Sequence, residues 1–414
     1  MTTFRFLHAA DLHLDSPLIG LSRKSEDYAA RLDDASRQAF DNLIALAIKE
    51  DCRLVVIAGD VFDGQWRDYR TGLFFADRMR QLHQAGIRVV MIAGNHDAEN
   101  RFASRLELSD NVKLLSSKKA EPFPIEEIGV VVHGRSFPQR DVTENIALDY
   151  PRPIEGRFNI GLLHTACTGH EGPHASYAPC TVEQLKNHGY QYWALGHVHA
   201  REVLSTAPHI IYPGNLQGRS VRETGPKGAT LVNVEDGQVT RADPYALDVI
   251  RWTIVDIDIS AILDRDALLS AIRDTVDHAY AAADGRGLAM RLRLIGQSGL
   301  HFDLTAAFQS LREDIETISA GVASDVWVEK IELLTSPLKA TQTVDPTVGG
   351  KIRQMVEDLA ADPWFAQRLE ARLAELKPKI PAAAHLDDLL ESLKSDAPTK
   401  ARALALALIE RGRS

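Results

Sequence analysis

The chain has 414 residues, and its 45% apolar and 25% charged residues are typical of a folded protein with two or three domains. Its three cysteines, Cys52, Cys167 and Cys180, are too few and too scattered for a disulfide framework or a thiolate zinc site. With 47 basic and 57 acidic residues the formal net charge is −10. That charge argues against nucleic-acid binding unless divalent cations occupy the active site.

Two further features bear on the compartment. No run of about 18 apolar residues is present, so no membrane span is expected. The first residues, MTTFRFLHAADLH, lack the basic flank, apolar stretch and cleavage site of a secretory signal. The expected location is therefore the cytoplasm.

The first part of the chain alternates predicted strands with predicted helices. Apolar runs predict strands at 4–10, 54–58 and 89–93, and helical spacing predicts helices at 28–50 and 70–85. The segments LVVIAGD and VVMIAGN repeat 35 positions apart, as consecutive β-α-β units do. Continuous apolar runs of this kind indicate parallel strands buried on both faces.

Further along, shorter strands separated by turns predict a second sheet. They lie at Gly129–His133, Phe158–Leu163, Tyr192–Leu195, Ile210–Tyr212 and Ala229–Val234. Two sheets packed face to face, with helices outside, accommodate them. We therefore expect an α/β fold with an α-β-β-α sandwich over residues 1–245.

The rest of the chain predicts two smaller regions. Residues 246–335 contain strands at Trp252–Ile259, Leu288–Ile295 and Val326–Leu334, with helices at about 264–283 and 303–320, which makes a small α+β domain. Residues 336–414 are rich in Ala and Leu and predict a helical C-terminal region. Asp362 and Pro363 look like the N-cap and first residue of one of its helices.

Residues that commonly bind metals recur just past the carboxyl ends of the predicted strands, where open α/β sheets bind their ligands. They are Asp11 and His13, Asp60 and Asp63, Asn95, His96 and Asp97, His164, and His197 and His199. Gly59, Gly94 and Gly196 precede three of these groups and let the backbone turn sharply. A single D-x-H or H-x-H tripeptide is common by chance, but five such elements in this order are not.

The candidate ligands exceed what one ion needs. Oxygen and imidazole donors mixed in this way suit manganese, iron, cobalt or zinc. The simplest arrangement is two ions about 3.5–4 Å apart that share a carboxylate.

The order D-x-H, GD-x-x-D, GNHD, H and GH-x-H resembles the calcineurin-like metallophosphoesterases. The segments FLHAADLHLDSPL, GDVFD, HGRSF, LGHVH, YPGNLQGR and GPKGATLV resemble the YhaO-type branch of DNA repair exonucleases, relatives of the SbcD nuclease. These motifs cover about residues 4–234. Beyond them the resemblance rests on domain layout: a four-layer metallophosphoesterase sandwich, a small capping domain and a helical tail.

The resemblance implies a ligand set. Asp11, His13 and His199 would bind one ion, and Asn95, His164 and His197 would bind the other. Asp60 would bridge the two ions, because a carboxylate has two acceptor oxygens and its charge offsets two close cations.

Roles for the neighbouring residues follow in the same way. His96 would face the scissile phosphate as proton donor or transition-state stabiliser, which suits an imidazole with an ordinary pKa near 6.5. Asp63 and Asp97 would orient histidines or hold loops, and for Asp63 a purely structural role has equal weight. Arg219 and Arg222 lie in a Gly-rich basic segment and could contact a substrate phosphate, or belong to an ordinary solvated loop.

The resemblance implies a DNA phosphodiesterase in DNA repair that uses two divalent ions, with Mn²⁺ as the first choice and Fe, Co, Zn or Mg as alternatives. It is an exonuclease, with endonuclease activity left open. The resemblance also implies an SMC-like coiled-coil ATPase docked on the terminal helices, and a homodimer.

Two alternatives stay open. The first is a metallophosphoesterase acting on cyclic or small nucleotides or on phosphoproteins. The second is a scaffold that has lost its chemistry. The sequence GDVFDGQ lacks the arginine that follows this motif in protein phosphatases, and small-nucleotide hydrolases usually end after the catalytic domain.

Overall fold

The computed structural model describes residues 3–18, 21, 34–64, 69–99, 106–167, 177–338, 351, 354–355, 358 and 362–376. The chain forms two compact units, residues 1–253 with 283–289, and residues 254–282 with 290–414. The boundaries expected at residues 245 and 335 stay predictions. None of the described helices is both long and apolar enough to cross a membrane.

The strands of the described residues are β1 (Phe4–Ala9), β2 (Leu54–Ala58), β3 (Arg88–Ile92), β4 (Val112–Leu114), β5 (Glu121–Ile125), β6 (Val130–Gly134), β7 (Phe158–His164), β8 (Tyr192–Gly196), β9 (Glu202–Thr206), β10 (His209–Tyr212), β11 (Gly228–Glu235), β12 (Gln238–Ala246), β13 (Ile250–Asp258), β14 (Gly287–Ser298) and β15 (Val326–Pro337). The α-helices are α1 (Ala35–Lys49), α2 (Arg70–Gln84), α3 (Val182–Asn187), α4 (Arg265–Ala282), α5 (His301–Ala306), α6 (Phe308–Val322) and α7 (Pro363–Leu376).

The first unit contains two six-stranded sheets. One has the order β12-β11-β1-β2-β3-β4, in which β1 to β4 are parallel and β11 runs antiparallel to β1. The other has the order β5-β6-β7-β8-β10-β9, with β6, β7, β8 and β10 parallel. Every residue of β2, β7 and β8 is buried, as expected for parallel strands covered on both faces.

Three apolar layers hold this unit together. Phe6 and Val56 from the first sheet meet Ile160 and Tyr192 from the second, so one layer lies between the sheets. A second layer lies under α1 and α2, and a third covers the outer face of the second sheet around Trp193. The α-β-β-α sandwich that the sequence predicts is confirmed.

The second unit is a three-stranded sheet, β13-β14-β15, with helices. Helix α4 buries Leu268, Ile272 and Val276, which recur every four residues and so lie on one face. Helix α6 buries Leu311 and Ile315 in the same way. The small α+β region that the sequence predicts is present.

The structure differs from the sequence predictions in details. The helix expected at 28–50 has its described part at Ala35–Lys49, and residues 28–33 lie outside the described residues. The single helix expected at 303–320 is two helices, because Ala307 leaves the helical backbone conformation. Helix α7 begins at Pro363 as predicted, and Asp362 Oδ1 accepts a hydrogen bond from Trp364 N at 2.8 Å. Most of the predicted helical region at 336–414 lies outside the described residues.

Candidate metal centre

The carboxyl ends of five strands converge in the first unit. Asp11 and His13 follow β1, Asp60 follows β2, and Asn95 follows β3 of the first sheet. His164 ends β7, and His197 and His199 follow β8 of the second sheet. Two hydrogen bonds tie the loops together: His197 N donates to Asp11 Oδ2 at 3.0 Å, and His96 N donates to Asp60 Oδ1 at 2.9 Å.

The backbone of four of these residues lies in the left-handed region. The φ angles are 51° at Asp11, 43° at His13, 52° at Asp60 and 99° at His197. A side chain makes this conformation unfavourable, and such strain collects at functional sites. Backbone hydrogen bonds to the loop after β2 hold Asp11 and His13 in this conformation. Asp11 N donates to Gly59 O and His13 N donates to Asp60 O, both at 3.0 Å.

The adjoining glycines act mainly by letting backbones approach closely. A Cβ on Gly94 would lie 2.8 Å from Asp60 N and 2.8 Å from His164 Cε1, and would overlap Asp60 Oδ1. A Cβ on Gly196 would overlap the carbonyl oxygen of Ala58. The sharp turn expected at all three glycines is found with positive φ only at Gly59, where φ is 91°.

One cluster contains Asp11, His13 and His199. Their ligand atoms lie within 4.8 Å of one another, and all three residues are buried. His13 Nε2 lies 3.2 Å from His199 Nε2, and His199 Nε2 lies 4.0 Å from Asp11 Oδ1. The three side chains therefore point their donor atoms at a common position.

Asp60 connects this cluster to the next. Its Oδ2 lies 3.4 Å from His164 Nε2 and 4.0 Å from His13 Nε2. His164 Nε2 also lies 2.9 Å from the amide oxygen of Asn95. His197 packs edge-on against His164, with ring centroids 5.2 Å apart. The structure thus brings together all seven residues that the sequence predicted as ligands, and their coordination of metal stays a prediction.

His96 lies at the open side of the cluster. Its side chain is 30% exposed, whereas those of His13 and Asp60 are each 2% exposed. Asp63 Oδ1 lies 2.7 Å from His96 Nδ1, and Ser16 Oγ donates to Asp63 Oδ2 at 2.8 Å. Asp63 therefore fixes the His96 ring and leaves its Nε2 edge available.

Asp97 is a loop anchor beneath the site. Its carboxylate accepts hydrogen bonds from the backbone N–H groups of Val61, Phe62 and Gly94, at 2.8 to 3.1 Å. This cross-links the loops after β2 and β3. Burial raises the pKa of the Asp97 carboxyl to about 7.

The two candidate phosphate contacts differ. The Arg219 guanidinium lies 3.4 Å from Ser16 Oγ, 3.7 Å from Asp63 Oδ2 and 3.6 Å from Glu223 Oε1. Arg222 is exposed, and its side chain forms no ion pair with the residues that the structure describes. Arg219 therefore has a place in the site's own hydrogen-bonding network, while Arg222 faces solvent.

Glu223 is a residue of the site that the sequence motifs do not include. Its Oε1 lies 2.7 Å from His199 Nδ1, and the Glu223 side chain is 14% exposed. Glu223 directly follows the Gly-rich segment that ends at Arg222, so a carboxylate next to that segment was the only signal for it.

Burial and charge set the protonation of the cluster. Burial raises the pKa of Asp11 to about 6 and lowers the pKa of His13 to about 3. Burial alone would lower the pKa of His164, but the charge of Asp60, its hydrogen bond to the ring and the charge of Asp11 together raise it to about 9. Burial likewise opposes ionisation of Asp60, but His164 and His13 hold its pKa well below the usual range.

These residues fit a pair of divalent cations. Asp11 and Asp60 are almost completely buried, and among the described residues neither forms an ion pair with lysine or arginine. Buried carboxylates are costly unless they are paired or bind metals, and the side chains that face Asp11 and Asp60 here are histidines, which are themselves common metal ligands. The mixture of carboxylate, imidazole and amide donors suits borderline divalent ions.

Comparison with known proteins gives two family matches. The calcineurin-like phosphoesterase family matches residues 4–201, and the middle domain of metallophosphoesterase YhaO matches residues 252–336. The uncharacterized metallophosphoesterase YhaO of Bacillus subtilis (strain 168) is 34% identical over 358 residues, which cover 84% of this chain and 86% of that protein.

More distant relatives are named for DNA repair. A DNA double-strand break repair protein Mre11 from Sulfurisphaera tokodaii is 26% identical over 66% of this chain and 71% of that protein. The protein of the same name from Haloferax volcanii is 22% identical over 86% of this chain and 82% of that protein. A solved structure, a dimetal phosphatase from Danio rerio, matches with 14% identity and a TM-score of 0.35, over 57% of this chain and 94% of that chain.

Proposed function

The chain belongs to the calcineurin-like metallophosphoesterases of the YhaO type, and on that premise we propose that it is a DNA phosphodiesterase that depends on two divalent cations. Family membership supports hydrolysis of a phosphoester. More specifically, the proposed substrate is DNA, which the protein cleaves from its ends in DNA repair. Endonuclease activity is a further expectation.

One observation carries the two-ion proposal. Asp60 is 1% exposed, and its Oδ2 lies 3.4 Å from His164 Nε2 and 4.0 Å from His13 Nε2, which belong to the two different ligand sets. A buried carboxylate within reach of both sets suits a pair of ions about 3.5–4 Å apart. We infer the same assignment as the sequence motifs: one ion on Asp11, His13 and His199, the other on Asn95, His164 and His197, and Asp60 on both.

Bound divalent cations at such a site polarise a phosphoryl oxygen and make an attacking water more acidic. The chain's own residues supply the rest. Asp60 and Asp11 hold negative charge in a buried site, and Asp97 keeps the two loops around Asp60 in register through three backbone N–H groups.

His96 is proposed as the proton donor to the leaving oxygen. Burial opposes its protonation, but the hydrogen bond to Asp63 together with the charges of Asp60 and Asp63 raises the pKa of His96. This shift favours the protonated imidazole, which is the form that a general acid needs. With Nδ1 directed at Asp63, the proton available to substrate is the one on Nε2 of this partly exposed ring.

DNA as substrate is supported by the relatives named for double-strand break repair. It is also supported by Arg222, an exposed cation at the end of the Gly-rich basic segment that contains Arg219. Because the formal charge is −10, the contacts with phosphate must be local. Mn²⁺ as the native ion, a homodimer, a cytoplasmic location and an SMC-like ATPase docked on the C-terminal helices belong to the same proposal. Of those helices, α7 is described, and its Trp364 is 52% exposed.

Cleavage assays test the substrate. Plasmid and end-labelled duplex DNA are incubated with Mn²⁺, Mg²⁺ or a chelator, beside bis-p-nitrophenyl phosphate, cyclic AMP and a phosphopeptide. We expect Mn²⁺-dependent DNA degradation that the chelator abolishes. Hydrolysis of cyclic AMP or of the phosphopeptide without any DNA degradation would contradict the DNA proposal, and no hydrolysis of any substrate would support a scaffold.

A matched pair of variants links activity to the site. Asp60→Asn removes the shared charge, whereas Asp236→Asn makes the same change at an exposed residue with nearly the same φ, 53° against 52°. We expect Asp60→Asn to lose activity and Asp236→Asn to retain it. Equal activity in the two variants would exclude Asp60 from the active site.

A further inference from the structure

Polar contacts hold both the ring and the backbone of His199. Its Nδ1 lies 2.7 Å from Glu223 Oε1. On the backbone side, the buried Lys227 donates from Nζ to the His199 carbonyl oxygen at 2.8 Å, and Asn215 N donates to the same oxygen at 3.3 Å. Neither the ring nor the peptide can turn without breaking a buried polar contact.

Glu223 is itself fixed. Its Oε2 accepts hydrogen bonds from Asn215 Nδ2 at 2.9 Å and from Arg219 N at 2.7 Å, and the Arg219 guanidinium balances its charge at 3.6 Å from Oε1. These contacts hold the carboxylate with its Oε1 facing His199 Nδ1.

The contact with Glu223 selects one tautomer of His199. A carboxylate accepts hydrogen bonds, so Nδ1 carries the hydrogen and donates it at 2.7 Å. The Arg219 guanidinium, 3.4 Å from the same nitrogen, also has only hydrogens to offer and cannot be its partner. In the neutral ring Nε2 then has the lone pair, and it is directed toward His13 and Asp11.

We infer that Glu223 is a positioning residue for His199, which holds the ring in the orientation and tautomer needed to bind a divalent cation through Nε2. This inference rests on the proposed function, because it takes His199 as a ligand. It resembles the arrangement at His96, where Asp63 lies 2.7 Å from Nδ1, and Arg219 lies between the two carboxylates. A carboxylate behind a metal-binding histidine typically changes metal affinity by about 10–100-fold.

The test is Mn²⁺ binding to chelator-treated full-length protein, followed by calorimetry and by electron paramagnetic resonance. Glu223→Gln keeps the size of the side chain and an oxygen for Asn215, but removes the charge facing His199. We expect one of the two Mn²⁺ sites to weaken by about 10–100-fold while the other is unchanged. The resonance spectrum should change from that of a coupled ion pair to that of an isolated Mn²⁺.

Controls separate positioning from folding. Glu155→Gln, at an exposed glutamate, should bind Mn²⁺ as the wild type does. The thermal midpoint of metal-free Glu223→Gln should stay close to that of the wild type. If Glu223→Gln does not fold, Glu223→Asp, which keeps the charge but is one methylene too short, should show a smaller loss at the same site.

Three results would overturn the inference or its premise. Unchanged affinity at both sites in Glu223→Gln would show that Glu223 does not position a ligand. Equal weakening of both sites together with a lower thermal midpoint would assign Glu223 to the scaffold. A wild-type protein that binds no Mn²⁺ would instead contradict the proposed function, so the two failures are distinguishable.

Discussion

Metal binding should release a proton from His164 near neutral pH. His164 Nδ1 lies 2.9 Å from the carbonyl oxygen of Ala58, and its Nε2 lies 2.9 Å from the amide oxygen of Asn95. Both neighbours are acceptors, so both ring nitrogens carry hydrogen. Asp60, with Oδ2 3.4 Å from Nε2, further stabilises the charged ring.

The size of the effect follows from the pKa of about 9 for His164. At pH 7 the protonated ring outnumbers the neutral ring by about 100 to 1, which is about 2.7 kcal/mol. A cation binds only the neutral ring. Apparent affinity at the site that includes His164 should therefore rise about tenfold between pH 7 and 8. Below pH 6 Asp11, with its raised pKa, adds a second proton to displace.

The raised pKa of His164 also predicts how the unfolding free energy depends on pH. The folded-state pKa of His164 exceeds its ordinary value of 6.5, so its contribution to metal-free stability is complete below pH 6.5 and is lost as pH rises through 9. Between pH 7 and 9 the metal-free protein should lose about 2 kcal/mol of unfolding free energy. Urea titrations at the two pH values measure this loss.

Calorimetric Mn²⁺ titration at pH 7, in buffers of different ionisation enthalpy, counts the released protons. We expect about one proton for the site that includes His164. His164→Asn has no imidazole to titrate and should bind weakly, without that proton and without the steep rise in affinity above pH 7. Wild-type affinity that is flat between pH 7 and 8, with no proton release, would refute this reasoning.

Three further predictions concern single residues. His96→Asn should lower kcat about 10²- to 10⁴-fold and leave Mn²⁺ affinity unchanged, and loss of metal would show that His96 is a ligand. Gly94→Ala places a Cβ against Asp60 and should reduce Mn²⁺ occupancy, whereas Gly321→Ala, with open space around its Cβ, should bind Mn²⁺ normally; equal occupancy in both would contradict the packing argument. Burial lowers the pKa of His8 to about 3, so its neutral form stabilises the fold above pH 6.5 and that contribution declines as pH falls. Between pH 7 and 5 the wild type should lose about 2 kcal/mol more than His8→Leu in urea unfolding, and parallel losses would show that His8 is protonated when folded.

The convergence of the site could be predicted from sequence because strand polarity fixes it. Asp11, Asp60 and Asn95 follow three neighbouring parallel strands of the first sheet, and parallel strands end at the same edge. His164 and the residues after Gly196 follow two paired strands of the second sheet. Local apolar runs and short motifs were sufficient to place them.

The backbone conformation of the site could not be predicted in this way. Left-handed φ angles at Asp11, His13 and His197 are unfavourable locally and are held by hydrogen bonds from other loops. Glu223 was missed for a similar reason, because its contact with His199 spans 24 residues and depends on how the intervening turns fold back.

Four strands were also missed, and their sequences explain why. β4 has only three residues, which is too short for a clear pattern. β5 contains Pro122 and Pro124; proline is tolerated in an edge strand, but its presence in a sequence argues against a strand. β9 and β12 are partly exposed edge strands whose apolar content is low. Tertiary pairing, rather than local sequence, determines these elements.

A crystal structure of the protein grown with Mn²⁺ is the decisive experiment for the two-ion site, since anomalous scattering locates each ion independently. We expect two peaks about 3.5–4 Å apart with the Asp60 carboxylate between them, one beside His199 and the other beside His164. A single peak, or two peaks that Asp60 does not join, would contradict it.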